Sequence, residues 1–491
     1  MNAPGVSLDR THEVGRHVVR QTTAYALLRS TSGIITWAAF VLLTRILDRR
    51  SFGAFEIGMF YVGVGQIIGD GGLAASLVRR RGRVLPIQYR TAQTAAFALA
   101  ATLALALNAC ASFIGRANHL TPSEVWALRA LAPLYLVPAF RVVPYAKLER
   151  RVDFAAIGRV ELYANLARHT TAVLVALLEG GVWALVLSQL VLAVTQLVLA
   201  YRAAPGLAGF AFSRRAFRSL YGYGSKIQAS VLLLHFKDNL SAGLLGPALG
   251  PTAVGVFRFA LEFVRVPADI GSSLARVQFP VYTQHRQHST ELRDVIRGAL
   301  RGSFIVGLPA LGVFALLSEW VIPLVYGHKW AAALPLVIAL VPHVAADLLI
   351  FHLVTFVQGR GRAGLALGVY AAWSLSLWLF SAGALEAAPG SLSAVALAHG
   401  AGSLLIVAGL LWWVSRYLEY SLWRALAAPF CAAALSFVAT LALRSTWTTS
   451  NVVEAAGSAL FFVALYLACL LSVEGRRVVS EVRSALQSFR P

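Results

Sequence analysis

Five ionisable residues, Arg258, Glu262, Arg265, Asp269 and Arg276, follow one another at spacings of 4, 3, 4 and 7 inside an otherwise apolar run. On a helix turning about 100° per residue they fall within about 60° of one another. Their signs alternate, so neighbours at i,i+3 and i,i+4 can pair. Two other apolar runs carry similar stripes: Glu161, Asn165 and Arg168 in one, Lys226, Ser230, Lys237 and Ser241 in the other. Arg29, Asp70, Arg141, Asp238 and Asp347 are further ionisable residues in apolar surroundings. Such a set suits anion binding. A guanidinium stays charged when buried and grips a phosphate through paired hydrogen bonds. Arg29, Arg141, Arg168, Lys237, Arg258 and Arg265 are therefore the candidate anion contacts, with Arg168, Lys237 and Arg265 nearest mid-depth. Asp70, Glu262 and Asp269 are the carboxylates that could take a proton or a cation, the last two because each sits between arginines.

The elements that hold these residues are membrane helices. Of 491 residues, 58% are hydrophobic and 13% charged, about half the charged share of an ordinary soluble protein. Apolar runs long enough to cross about 30 Å of hydrocarbon recur from end to end, and about fourteen spans are predicted. The three striped runs are the fifth, seventh and eighth, at about 156–178, 220–245 and 253–279. The eighth is too long for an upright crossing and carries Pro267 near its middle, so it is expected to tilt or bend. A charge at membrane depth costs about 2.5–3.5 kcal/mol even on the lenient scale, so the striped faces must meet one another or a wet cavity.

The net charge of +21 would suit a nucleic-acid binder, but the basic residues cluster in short linkers between the apolar runs. With the N-terminus placed in the cytoplasm, cytoplasmic linkers hold roughly four times the Lys and Arg of the outer ones, which predicts that both termini are cytoplasmic. Leu47 to Phe55, entering the second span, matches Leu249 to Phe257, entering the eighth, at Leu, Gly and Phe. Both segments run from outside to inside, six spans apart, which predicts a parallel repeat. The expected organisation is an N-terminal segment 1–21, a six-helix lobe 22–201, a cytoplasmic linker 202–219, a second six-helix lobe 220–414, and two extra helices with a basic tail over 415–491.

No catalytic constellation emerges. His343 and Asp347 stand one turn apart without a third ligand or a nucleophile, and read as a packed or cavity-facing histidine rather than a metal site. Gly71 and Gly72 lack a phosphate-loop context and read as packing or kink positions. Cys110, Cys431 and Cys469 lie in apolar runs and read as buried small hydrophobes without a disulfide role. No cofactor or metal is expected.

The stretch 42–81 resembles the N-terminal signature of polysaccharide-transport flippases, O-antigen carriers among them. Phe52, Gly53 and Phe55 keep its turn, Asp70-Gly71-Gly72-Leu73 its acidic-glycine segment, and Arg79 to Arg81 its basic exit. Leu249-Gly250-Pro251 to Phe257 looks closer still, and Pro267 through Phe279-Pro280 resembles the exit of the eighth span. Asp48-Arg49-Arg50 departs from the pattern, where the family often has Gly-Pro and an acidic residue. The family belongs to the multidrug/oligosaccharidyl-lipid/polysaccharide exporter superfamily. The resemblance implies an all-α fold of about fourteen transmembrane helices, two six-helix bundles related by a parallel pseudo-two-fold axis, plus two C-terminal helices. It implies alternating-access movement of undecaprenyl-diphosphate-linked oligosaccharide from the inner to the outer leaflet of a bacterial inner membrane, with a glycan polymerase and chain-length machinery as further expected partners. The alternatives are a drug or cation antiporter of the same fold, which calls for an acidic cavity, an oligosaccharide polymerase or ligase, which usually carries a sizeable outer loop, and a purely structural subunit.

Overall fold

In the computed structural model the described residues are 8–80, 82, 84–205, 209–284, 289–444 and 452–475, with side chains described except at 8–20, 22, 222–227, 269–284, 289–292, 363 and 452. Among them the chain is all-α, with no strand. It divides into two compact units, Met1–Gly255 and Val256–Pro491.

The first unit holds α1 (Leu8–Ile46), α2 (Arg49–Asp70), α3 (Leu73–Arg79), α4 (Pro86–Ala117), α5 (Pro122–Ala130), α6 (Pro133–Arg150), α7 (Phe154–Leu177), α8 (Val182–Ala203), α9 (Arg214–Asp238), α10 (Gly246–Leu249) and the start of α11 (Pro251–Gln284). The second holds the rest of α11, then α12 (Ser289–Val321), α13 (Leu334–Gly359), α14 (Ala363–Ala387), α15 (Leu392–Leu418), α16 (Trp423–Arg444) and α17 (Val452–Glu474).

Eleven described helical segments are long and apolar enough to cross a membrane, α5 and α6 counting as one of them. The chain is a multi-pass membrane protein. Length and apolarity do not by themselves yield fourteen spans. The three expected spans that fail the apolarity test coincide with α7, α9 and α11, the helices that bear the charged stripes.

Local chemistry sets the helix ends. Asp48 starts α2 by accepting a hydrogen bond from the Ser51 amide at 3.2 Å, so the departure from the family turn supplies an N-cap. Next to it Arg50 donates through Nε and Nη2 to both oxygens of Glu124, at 2.8 and 2.9 Å. Glu124 in turn closes a capping box with Thr121 at the start of α5. Gly71 and Gly72 both have left-handed backbone, with φ of 52° and 70°, and break α2 from α3 where a side chain would strain the turn.

Small residues let the helices of the first unit approach closely. α4 buries Ala92, Ala96, Ala100, Ala104 and Ala111 along one face, against α6 and α2. Gly53 and Gly255 meet in a reciprocal crossing: a Cβ at Gly53 would overlap the Pro251 carbonyl, and one at Gly255 would overlap the Arg49 carbonyl. These are the matching glycines of the repeat, in contact at the starts of α2 and α11.

The cysteines correct one expectation. All three are free, but Cys110 and Cys431 are exposed and Cys469 is half-buried. In a membrane protein an apolar run does not imply burial, because lipid accepts an apolar face that water would reject.

Candidate functional site

In the first unit α1 and α7 run side by side, joined by polar contacts. The Tyr25 hydroxyl donates to Glu161 at 3.3 Å, Asn165 donates to Ser32 Oγ at 2.9 Å, and His169 Nε2 lies 3.1 Å from Thr36 Oγ1. The partner numbers rise together, so the two helices are parallel. The stripe on α7 thus meets hydroxyl and phenol groups of α1, and Glu161 has a structural partner.

Arg168 stands between Asn165 and His169 in sequence and stays outside this series. It is half-buried and makes no hydrogen bond or ion pair among the described residues. The charge of Glu56, on α2, acts on it. Arg29, on the exposed side of α1, likewise makes no hydrogen bond or ion pair among the described residues. Arg141 of α6 donates to the neutral Gln196 of α8 and lies over the Tyr145 ring, 4.7 Å from its centroid. Three expected anion contacts of this unit therefore lack a direct carboxylate bond. Lys237 differs: its Nζ lies 2.9 Å from Asp238.

Asp70, at the end of α2, accepts a hydrogen bond from Gln228 of α9 and feels the charge of Arg141. It borders a cavity of about 40 Å³ that is also lined by Gln66 and Tyr135. The rest of its wall is apolar, from Ala96, Ala100, Pro138, Ala139 and Val142.

Several arginines of the second unit are paired with acids. Arg258 meets Glu262 at 2.8 Å, one turn along α11. Arg265 meets Asp347 of α13 at 3.2 Å. Arg301 of α12 binds both oxygens of Glu474 on α17, with Nη1 to Oε1 at 2.8 Å. Arg444 reaches Glu319 at 2.6 Å. Asp269 and Arg276, like Lys226 in the first unit, lie outside the residues whose side chains are described.

The spacing on α11 offered Arg265 the carboxylates of its own helix, whereas the ion pair found is with Asp347, 82 residues further on. The partnership of Arg301 with Glu474 was also missed, because Glu474 lies just past the last expected span. A third feature escaped notice. His343 Nδ1 lies 2.8 Å from Ser403 Oγ, which also accepts the Trp373 indole N–H at 3.0 Å. The ring of His399 stands against that of His343, with centroids 5.3 Å apart. His399 and Ser403, one turn apart in an apolar run, were the available sequence signal.

A family model described as polysaccharide biosynthesis protein matches residues 42–335, more than half of the chain. The teichuronic acid biosynthesis protein TuaB of Bacillus subtilis (strain 168) is 24% identical over 262 residues, which are 52% of this chain and 54% of that protein. The lipopolysaccharide biosynthesis protein WzxC of Escherichia coli (strain K12) is 26% identical over 309 residues, 60% of each chain. The match thus spans little more than half the length of these relatives. Among solved structures, the lipid II flippase MurJ in an inward closed conformation aligns with a TM-score of 0.74 at 12% identity, covering 93% of this chain and 99% of that one. At that identity the likeness is one of fold.

Proposed function

The chain belongs to the polysaccharide biosynthesis protein family, and on that premise we propose that it is a flippase for polyprenyl-diphosphate-linked oligosaccharide. It moves this substrate from the inner to the outer leaflet of a bacterial inner membrane by alternating access, the polyprenyl being undecaprenyl. Arg168 carries the reading. A guanidinium in a membrane helix without an ion pair costs stability, and is retained most simply if its partner is an anion that arrives and leaves. A diphosphate meets the need, since its oxygens accept the paired hydrogen bonds a guanidinium donates. Arg29 and Arg141 extend the cationic surface in the first unit. Lys237, Arg258 and Arg265 are the further cations we assign to the substrate, each reached after its carboxylate yields. A drug-cation antiporter would call for surplus carboxylates, whereas Asp70 and Glu161 are held by Gln228 and Tyr25 and the cations Arg29 and Arg168 make no hydrogen bond or ion pair among the described residues.

Binding of farnesyl diphosphate, a short polyprenyl diphosphate, to the detergent-solubilised full chain tests this. Arg168→Ala removes a charge-assisted contact of about 1.5–3 kcal/mol, so affinity falls by one to two orders of magnitude. Arg168→Lys also binds less well, because the ammonium lacks the fork. Unchanged affinity in Arg168→Ala would sink the proposal.

We further propose that both termini and the 202–219 linker are cytoplasmic. A cysteine at position 215 then resists labelling from outside, whereas one at position 329 reacts. Asp70, Glu262 and Asp269 are the carboxylates we assign to a coupling ion. Amide variants of all three that keep the wild-type response to imposed ion gradients would remove them from that role.

A further inference from the structure

The second unit buries imidazole, hydroxyl and indole groups where an apolar lobe has no need of them. His343, His399 and Ser403 are each at most 2% exposed, and Trp373 4%. They come from α13, α14 and α15, which pack on one another. Buried polar groups are costly unless hydrogen-bonded, and these are bonded in a way that leaves one of them free to change state.

Ser403 is the reason. Its hydroxyl has one proton to donate and two acceptor positions, one taken by the Trp373 N–H. Towards His343 Nδ1 it can therefore donate, which suits a neutral ring, or accept, which suits an imidazolium. No heavy atom has to move between the two. His399 is held differently. Its Nδ1 lies 3.0 Å from the Val395 carbonyl and 3.2 Å from Ser381 Oγ, so it is held by α14 and by its own helix rather than by Ser403.

Asp347 lies one turn beyond His343 on α13, within reach of side chains at i,i+4. It is also the carboxylate that meets Arg265. Among the described residues, the other charged or titratable groups on the elements packed here are Arg293, Asp294, Arg297, Arg301 and Glu319 of α12, His352 of α13 with Arg360 at its end, Tyr370 and Glu386 of α14, and Arg416 and Tyr417 of α15, with Arg258 and Glu262 bonded to each other on α11. Arg301 is bonded to Glu474 and His352 to Ser303.

We propose that His343, set between Ser403 and His399, is a proton-binding site whose imidazolium competes for Asp347 and so releases Arg265 to an anionic substrate. One proton passes from water to the imidazole ring and later returns to water, with no other bond made or broken. The site supplies the coupling proton to the flippase reading, and its functional consequence rests on that reading.

Two measurements test it. In the full chain labelled with ¹⁵N-histidine, the His343 ring, assigned by comparison with His343→Gln, titrates between pH 5 and pH 8. A ring that keeps one protonation state across that range overturns the proposal, with no ligand involved. Farnesyl diphosphate binding is then compared at pH 8 and pH 6. Wild-type affinity rises about tenfold more on acidification than that of His343→Gln, which sees the same ionisation of the probe. Asp347→Asn binds as tightly at pH 8 as wild type does at pH 6. Equal pH dependence in wild type and His343→Gln overturns the proposal. Failure of the wild-type chain to bind the probe at either pH instead counts against the diphosphate reading, and the histidine titration still decides the proton site.

Discussion

Arg168 and Arg265 are both arginines inside long helices that carry polar stripes, and their surroundings differ. Arg168, in the first unit, forms no hydrogen bond or ion pair among the described residues. Arg265, in the second, holds Asp347, and Arg258, Arg301 and Arg444 of that unit each hold a carboxylate as well. The contrast separates two uses of charge in a membrane. An arginine with its acid is internally neutral and fastens helices together. An arginine without a bonded acid keeps its attraction for an anion from outside, at a cost to the resting fold. Arg168 in the first unit is thus a standing cationic site, whereas Arg265 in the second is held in a pair that must open.

The sharpest way to break the comparison is to delete one arginine from each unit. Arg301→Ala leaves Glu474 with its charge buried and uncompensated, and is expected to lower stability by about 3–5 kcal/mol. Arg168→Leu removes a cation that holds no carboxylate, so its thermal midpoint in detergent stays level or rises. Equal destabilisation by the two would erase the distinction.

A smaller effect is expected where the two halves of the repeat should behave alike. Gly53→Ala and Gly255→Ala each push a methyl group into a facing backbone carbonyl. Each should cost about 1–3 kcal/mol, the usual range for overpacking, and the two values should agree. A tolerated alanine at one site and loss of folding at the other would show that the repeat is not reciprocal.

The smallest effect tests how uniform the second unit is. Glu262 is 41% exposed and reaches Arg258 within one helix, so solvent screens the pair. Glu262→Gln should cost no more than about 0.5 kcal/mol. A larger loss would mean that this pair fastens helices as firmly as Arg301 and Glu474 do.

The membrane class and the striped helices could be read directly because lipid makes the rules local. A helix must be long and apolar to span, so α4 or α13 announces itself by composition alone. The helices that fail that test, α7, α9 and α11, were legible through their periodic charges instead. Cys110 was misread as buried because hydropathy says only that a residue leaves water, and the same value serves a core position and a lipid-facing one. The break at Gly71 and Gly72 was half legible: glycine marked the place, but the left-handed backbone at both positions belongs to the folded chain.

By itself the sequence determined an all-helical membrane protein, its family, the faces on which its charges fall and the two segments that repeat. Hydropathy and helical period depend only on near neighbours in the chain, which is why these properties can be read from it. Tertiary structure alone decided that Arg265 would hold Asp347 of another helix, that Arg168 would hold no acid among the described residues, and that Gly53 would lie against Gly255. An ion pair or a close crossing depends on which helix faces which, and at what height. That is set by the packing of surfaces distant in sequence, and the spacing of residues along one helix carries no record of it.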